Sequence, residues 1–316
     1  MDKSMTKARP EIALIQEWWN VLQLEKRAGE ITDATMTTYQ RGMTKFWNWC
    51  DEHQVDQVTS AVIQQWKADL LEAGIKPSSV NVWLAGVKRF FDWAVNAGSL
   101  AVNPAAGVKS VKRRGTHKNH LRDKLSDREV LRVLSQPDTD QATGRRDLAM
   151  LSLMAFCALR TIELHRADLE DLTTIEGMPV LRIQGKGSSE KDDQAVIYHP
   201  KAQDALYDWL AVRGKAPGAL FTSLSNRSAG SRLGTSAIRH IVVGYYRMAG
   251  IIDPRKTTHS LRHSAISKVA SHNIMKAKQV ARHSSIDTTL IYVHQNDRLD
   301  NPGEQFIDYQ NGNNGE

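Results

Sequence analysis

The sequence predicts a mainly α-helical protein with a small antiparallel sheet, built as a helical front body followed by a mixed α/β second body. Three observations carry this prediction. Apolar residues recur at steps of three and four along most of the chain, which is the spacing of a helix face. Two short strand-like runs flank one charged, turn-rich stretch in the second half. The excess positive charge is gathered in a single short segment between two nearly neutral parts, and 316 residues exceed the usual size of one domain.

The front body reads as four helices. Glu11 to Arg27 carries a stripe of Ile12, Leu14, Ile15, Trp18, Trp19, Leu22 and Leu24. A second helix runs from about Asp33 to His53, with Met36, Tyr39, Met43, Phe46, Trp47 and Cys50 at helical spacing. The third begins after Thr59 or Ser60, either a suitable N-cap, and stops at Gly74. Pro77 and Ser78 open the fourth, which continues through Val82, Val87, Phe90, Phe91 and Val95 to Gly98. Most tryptophans of the chain fall here, and in a helical bundle they read as core packing rather than a base-stacking surface.

Asn103-Pro104 ends the bundle, and a basic strap follows. From Gly107 to Lys124 the chain carries Lys109, Lys112, Arg113, Arg114, Lys118, Arg122 and Lys124 against the single acid Asp123. The whole chain has a formal net charge of +7, so most of the excess sits here. Such a strap suits a polyphosphate backbone, although a solvated linker accounts for the same charges. The resulting division is a helical domain over 1–106, a basic linker over 107–124, a second domain over 125–300 and a tail over 301–316.

In the second body Ser126 and Glu129 form a capping-box pattern at a helix start. Leu148 to Leu159 is almost wholly apolar and predicts a helix buried on most sides, with Arg160 at its end. Pro179 to Gln184 and Gln194 to Tyr198 predict a hairpin with a long charged loop. Helices then follow at Lys201 to Arg213, Ser236 to Met248, Ser260 to Ser271 and Lys276 to Arg282.

Composition excludes several classes. A hydrophobic fraction of 41% and a charged fraction of 24% are those of an ordinary globular protein, not of a disordered or fibrous one. No apolar run is long enough to cross a bilayer, and the charged start lacks the apolar core of an export signal, so a cytoplasmic enzyme is expected. Cys50 and Cys157, the two cysteines, both lie in apolar patterns and read as buried small hydrophobes.

Four fragments carry candidate chemistry. Arg160 is followed at i+3 by Glu163, on one face if the helix continues; read alone, the pair is either an internal salt bridge or a phosphate-binding fork held by an acid. Lys186 stands between Gly185 and Gly187 at the tip of the expected hairpin, where small neighbours let a ligand approach. It is not a nucleotide loop, because the Gly-rich run ending in Gly-Lys-Ser or Gly-Lys-Thr is missing. His259 and Arg262 lie three apart near a helix start and can address one oxygen-rich group, while His263 points about a quarter turn away. With no Cys nearby and no His-Glu-x-x-His pattern, zinc is not expected. Finally Tyr292 follows His283 by nine residues. In isolation, a tyrosine in an apolar helix is usually core.

In combination and in this order, these residues give a chain that resembles the tyrosine recombinase family, also called the phage integrase family, over nearly its whole length. The resemblance implies a helical core-binding domain and a mixed α/β catalytic domain forming a C-shaped clamp on DNA. It implies Arg160, Lys186, His259, Arg262, His283 and Tyr292 as catalytic residues, with Glu163 as the acidic partner of the first arginine. It further implies cleavage and rejoining of double-stranded DNA at an inverted-repeat core site without metal, nucleotide or other cofactor. Four protomers would act on two DNA sites, each monomeric when free, with the tail around Phe306, Ile307 and Tyr309 as an arm between protomers. The strap residues would contact the DNA backbone. Integration, excision or resolution of a mobile element is the role expected, a compact simple-site enzyme the type. A tyrosine-type topoisomerase and a catalytically silent DNA-binding relative are the alternatives.

Two departures from the family pattern stand out. Members usually carry Gly just before the first Leu-Arg step and Gly before the second histidine, where this chain has Ala158 and Arg282. Ala158 is expected to fit a helical position as Gly does. Arg282, a large cation beside His283, is expected to point outwards or reach DNA.

Overall fold

The computed structural model describes residues 12–112, 124–184, 191–290 and 292. The chain divides into two compact units between Arg114 and Gly115, inside the basic strap. The first unit holds α1 (Ile12–Arg27), α2 (Asp33–Glu52), α3 (Ser60–Glu72) and α4 (Pro77–Asn96). Local chemistry sets their ends. The Thr32 hydroxyl accepts from the Thr35 N–H at 3.2 Å, Thr59 caps α3 in the same way, and Pro77 occupies the first turn of α4, where its missing N–H costs nothing.

Aromatic side chains fill the bundle core, as the sequence predicts. Trp18 meets Phe90 edge-to-face at 5.3 Å, and Phe46 meets Trp66 at 5.0 Å. The closest backbone approach lies between α2 and α4. A Cβ on Gly42 would sit 2.4 Å from the Trp83 carbonyl oxygen, and one on Gly86 would sit 2.5 Å from that of Tyr39. Two helix-interior glycines, unfavourable by propensity, therefore permit a crossing that any side chain would block.

The near end of the strap is part of this unit rather than a free tether. Ala105 and Val108 are buried in its core. The Asn81 side-chain amide donates to the Val111 carbonyl at 3.0 Å and its oxygen accepts from the Val111 N–H at 2.8 Å. Lys67 donates to the Lys109 carbonyl at 3.0 Å. Lys109 and Lys112 themselves are exposed.

The second unit contains α5 (Asp127–Leu134), α6 (Ala142–Phe156), α7 (Thr161–Arg166), a 3-10 turn at Leu169–Asp171, β1 (Leu172–Ile175), β2 (Met178–Ile183) and β3 (Asp193–Val196). There follow α8 (Pro200–Arg213), α9 (Thr235–Met248), α10 (His259–Ala270), α11 (Ile274–Ala281) and α12 (Asp287–Leu290). The predicted capping box starts α5: Ser126 N–H donates to Glu129 at 2.7 Å, and Glu129 N–H donates to the Ser126 hydroxyl at 3.3 Å. α6 contributes Met150, Leu151, Leu153 and Met154 to a core shared with Leu181, Leu206, Trp209, Phe221 and Ile238.

The sheet has three antiparallel strands in the order β1-β2-β3, where the sequence predicted two. The additional strand is joined to β2 by a turn in which Glu176 and Gly177 both have positive φ, 49° and 78°. β1 is an edge strand whose last three residues are exposed, so it carries no apolar alternation to read. α6 also ends sooner than predicted, at Phe156 rather than Leu159. Ala158 takes φ 51°, left-handed backbone, and the chain breaks there before α7 begins.

Candidate active site

Arg160 is the N-cap residue of α7, not the last residue of the preceding helix. This changes why it meets Glu163. Glu163 is the third residue of α7 and reaches back over the helix start, accepting from the Arg160 backbone N–H at 2.7 Å and from its guanidinium at 2.5 Å. The Arg160 guanidinium also donates to the Ala281 carbonyl at 3.2 Å. Its side chain keeps 21% exposure against 2% for Glu163, so the fork is fixed from behind and open in front.

Arg262 rises from the first turn of α10 and is buried. It donates to the carbonyls of Ala158 and Ala281 and lies 3.4 Å from His283 Nε2. Burial, with Arg160 and Arg282 nearby, lowers its pKa to about 9, still well above neutrality. Arg160 and Arg262 are thus held side by side through the shared Ala281 carbonyl at the end of α11, two guanidiniums on one acceptor.

His283 follows α11. Because a guanidinium can only donate, its contact with Nε2 requires the tautomer in which Nδ1 carries the proton and donates to the Thr289 hydroxyl at 3.0 Å. Burial, reinforced by Arg262, Arg160 and Arg282, lowers the His283 pKa to about 4, so the ring is neutral near pH 7. His259 is also shifted down, by burial first and then by Arg262, Arg160 and Arg239.

Tyr292 is 6% exposed and shares a small core with Ala158, Ile266, Ala277 and Ala281. Its ring stacks on His283 at 6.0 Å and receives the His263 ring edge-to-face at 5.2 Å. His263 in turn lies 6.4 Å from His259. Burial raises the Tyr292 pKa, while Arg262 and Arg160 pull it back. The arrangement can hold a tetrahedral anion against two cations and place a phenol beside it.

Arg282 overturns the sequence expectation. It does not point outwards; its side chain is 3% exposed and donates to Glu163 at 2.9 Å, to the Ala158 carbonyl at 2.9 Å and to the Val280 carbonyl at 2.9 Å. Its backbone is left-handed, φ 53°, as is that of Ala158, which is not helical either. Burial opposes ionisation of Glu163, but Arg282 and Arg160 outweigh it and hold the carboxylate below its usual range.

Of the expected site residues, Arg160, Glu163, Arg262, His283 and Tyr292 are brought together, with His259 joined to Tyr292 through the ring of His263. Lys186 lies outside the described residues, as do Arg113, Arg114, Lys118, Arg122, Phe306, Ile307 and Tyr309. Lys124 is partly buried at the start of the second unit, its carbonyl accepting from Lys256. The sequence reading missed Thr289 and the Arg282 ion pair. For Thr289 the sequence offered only its place three residues before Tyr292; in the structure Thr289 is fully buried, and its contact with His283 gives it a job. Among the described residues, no group of three or more His, Cys, Asp or Glu is placed to hold a metal ion. No described helix is long and apolar enough to cross a membrane.

Comparison with known proteins gives one consistent result. A family model described as "Phage integrase family" matches residues 123–298, and one described as "Phage integrase, N-terminal SAM-like domain" matches residues 15–98. Tyrosine recombinase XerD of Pseudomonas putida is 30% identical over 290 residues, covering 89% of this chain and 92% of that protein. Tyrosine recombinase XerC of Haemophilus ducreyi is 31% identical over 287 residues, covering 88% of each. Among solved structures, the XerH site-specific recombinase bound to palindromic difH substrate superposes with a TM-score of 0.70 at 16% identity, covering 96% of this chain and 91% of that one. A lambda integrase dimer bound to a COC' core site gives 0.65 at 14% identity, covering 87% and 96%.

Proposed function

The chain belongs to the phage integrase family, and from that premise we propose that it is a site-specific DNA recombinase working through a 3′-phosphotyrosyl intermediate. The observation that supports this most is the convergence of Arg160, Arg262 and His283, from three separate segments, beside the buried phenol of Tyr292. A phosphodiester resists nucleophiles because its oxygens are negative. Two guanidiniums pre-set on a shared carbonyl meet that charge without reorganising when the transition state forms.

In the proposed reaction the Tyr292 oxygen forms a bond to phosphorus as the bond to the 5′ oxygen breaks. Arg160 and Arg262 hold the non-bridging oxygens. The phenolic proton passes to His259, which its surroundings keep neutral and able to accept. Lys186 supplies a proton to the leaving 5′ oxygen. His283, an acceptor on its Nε2 side in the DNA-free protein, donates to a phosphate oxygen only after taking up a proton, which the incoming negative charge favours. Reversal by another strand's 5′-hydroxyl rejoins the backbone, so the ester conserves the bond energy and the cycle consumes no ATP. The partner proposed is a duplex with an inverted-repeat core site, bound by four copies across two sites, in integration, excision or resolution of a mobile element. Lys109, Lys112 and Lys124, with the other strap cations, are the proposed backbone contacts.

The test is a covalent-trapping assay. Selection from random duplexes and footprinting on DNA flanking the gene would supply a site, and a nicked version of that site traps the cleaved strand on the protein. Wild type is expected to form the adduct, and Tyr292→Phe to bind equally well and form none. An adduct that persists in Y292F moves the nucleophile elsewhere. Relaxation of supercoiled plasmid lacking the site would favour a topoisomerase.

A further inference from the structure

The observation is a buried guanidinium, that of Arg282, beside the two arginines proposed to hold the phosphate. Arg160, Arg262 and Arg282 share their acceptors in pairs: Glu163 serves Arg160 and Arg282, the Ala158 carbonyl serves Arg262 and Arg282, and the Ala281 carbonyl serves Arg160 and Arg262. The result is a closed ring of three cations around one carboxylate. Arg282 holds this place against two costs. Left-handed backbone disfavours any side chain larger than glycine, and its buried Nε has no acceptor among the described residues. A glycine would end α11 in the same conformation with neither cost.

We propose that Arg282 is a positioning residue of the clamp: by sharing Glu163 with Arg160 and the Ala158 carbonyl with Arg262, it keeps both phosphate-holding guanidiniums oriented and only partly neutralised. Without it, the second carboxylate oxygen of Glu163 faces only the Arg160 backbone N–H, and the carboxylate is free to neutralise the Arg160 guanidinium alone. The Ala158 carbonyl is then left to Arg262, and the site loses one positive charge close to His283. Facing His283 are Arg160 from the start of α7, Arg262 from α10, Arg282 beside it and Tyr292 stacked on it, with Glu163 behind the two arginines that it pairs. The inference rests on the proposed recombinase reading for its cleavage readout, while its titration readout does not.

Arg282→Gly and Arg282→Lys in the full chain test it. Glycine suits the left-handed position, and thermal unfolding checks that R282G is folded. In the DNA-free protein, the midpoint of the His283 ring, followed by NMR, is expected to rise in R282G towards the ordinary value near 6.5, and to stay near wild type in R282K. On the selected nicked duplex, single-turnover cleavage by R282G is expected to be about 10-fold slower or more, with duplex affinity within about twofold, and R282K is expected to recover part of the rate. If His283 titrates in R282G as in wild type, or if R282G cleaves at least as fast, Arg282 does not position the clamp. Failure of wild type itself to form an adduct would count against the recombinase reading and leave the titration to decide the role of Arg282.

Discussion

His283 illustrates how a side chain's chemistry is set by its neighbours. In a solvated loop it would titrate in the ordinary imidazole range; here burial and three guanidiniums lower the pKa to about 4. The unfolded chain therefore binds the proton first as pH falls. Stability contributed by the neutral ring is present above the unfolded pKa near 6.5, declines as pH drops towards 4 and is fully lost below that. His259 is shifted in the same direction and adds to the trend. Urea unfolding at pH 7 and pH 5 should show wild type losing stability at the lower pH, and His283→Gln losing less. An equal loss in H283Q would mean that His283 does not carry this dependence. Tyr292 is read in the same way: its raised pKa keeps the phenol protonated until a base and a phosphate arrive, so its reactivity belongs to the site.

At the scale of elements, the ends and crossings of helices decide where the chemistry sits. The break between α6 and α7, with Ala158 left-handed, turns the Ala158 carbonyl towards Arg262 and makes Arg160 a cap residue with Glu163 behind it. A continuous helix, as the apolar run predicts, would have kept that carbonyl in its own ladder. In the first unit the α2–α4 crossing depends on two missing side chains. Gly42→Ala and Gly86→Ala should each destabilise the bundle by about 1–3 kcal/mol, because the clash is with backbone and not with a flexible side chain. Thermal unfolding of the full chain is the measurement. Wild-type melting of either variant would show that the helices separate at no cost.

At the scale of the whole molecule the distribution of charge outweighs its total. The net +7 is concentrated in the strap, and the near end of that strap is pinned to the first unit by Asn81, Val108 and Lys67. Lys109 and Lys112 therefore project from an ordered surface, which lowers the entropic cost of placing them on a phosphate backbone. If both contact phosphates, Lys109→Gln with Lys112→Gln should weaken duplex binding and reduce the slope of log affinity against log salt by roughly 1.8, about 0.9 per contact. The slope measured by fluorescence anisotropy across a salt series decides this. A slope equal to wild type makes the pair a solubility feature of the surface.

Patterning alone determined the helical bundle and the capping box at Ser126, because periodicity and caps are local properties written along the chain. Arg160, Glu163, His259, Arg262, His283 and Tyr292, by contrast, stood out as a set only through the family resemblance that their order carries. Tertiary structure decided the rest, and each case has a reason that is not local. β1 is an edge strand with little to bury, so it left no alternation. Gly42 and Gly86 matter only because another helix lies against them. Thr289 and Arg282 acquire roles from groups brought to them by other elements. The direction of Arg282 is the clearest instance: its charge argued for solvent or DNA, and only a carboxylate and carbonyls from residues more than a hundred positions away could make burial favourable.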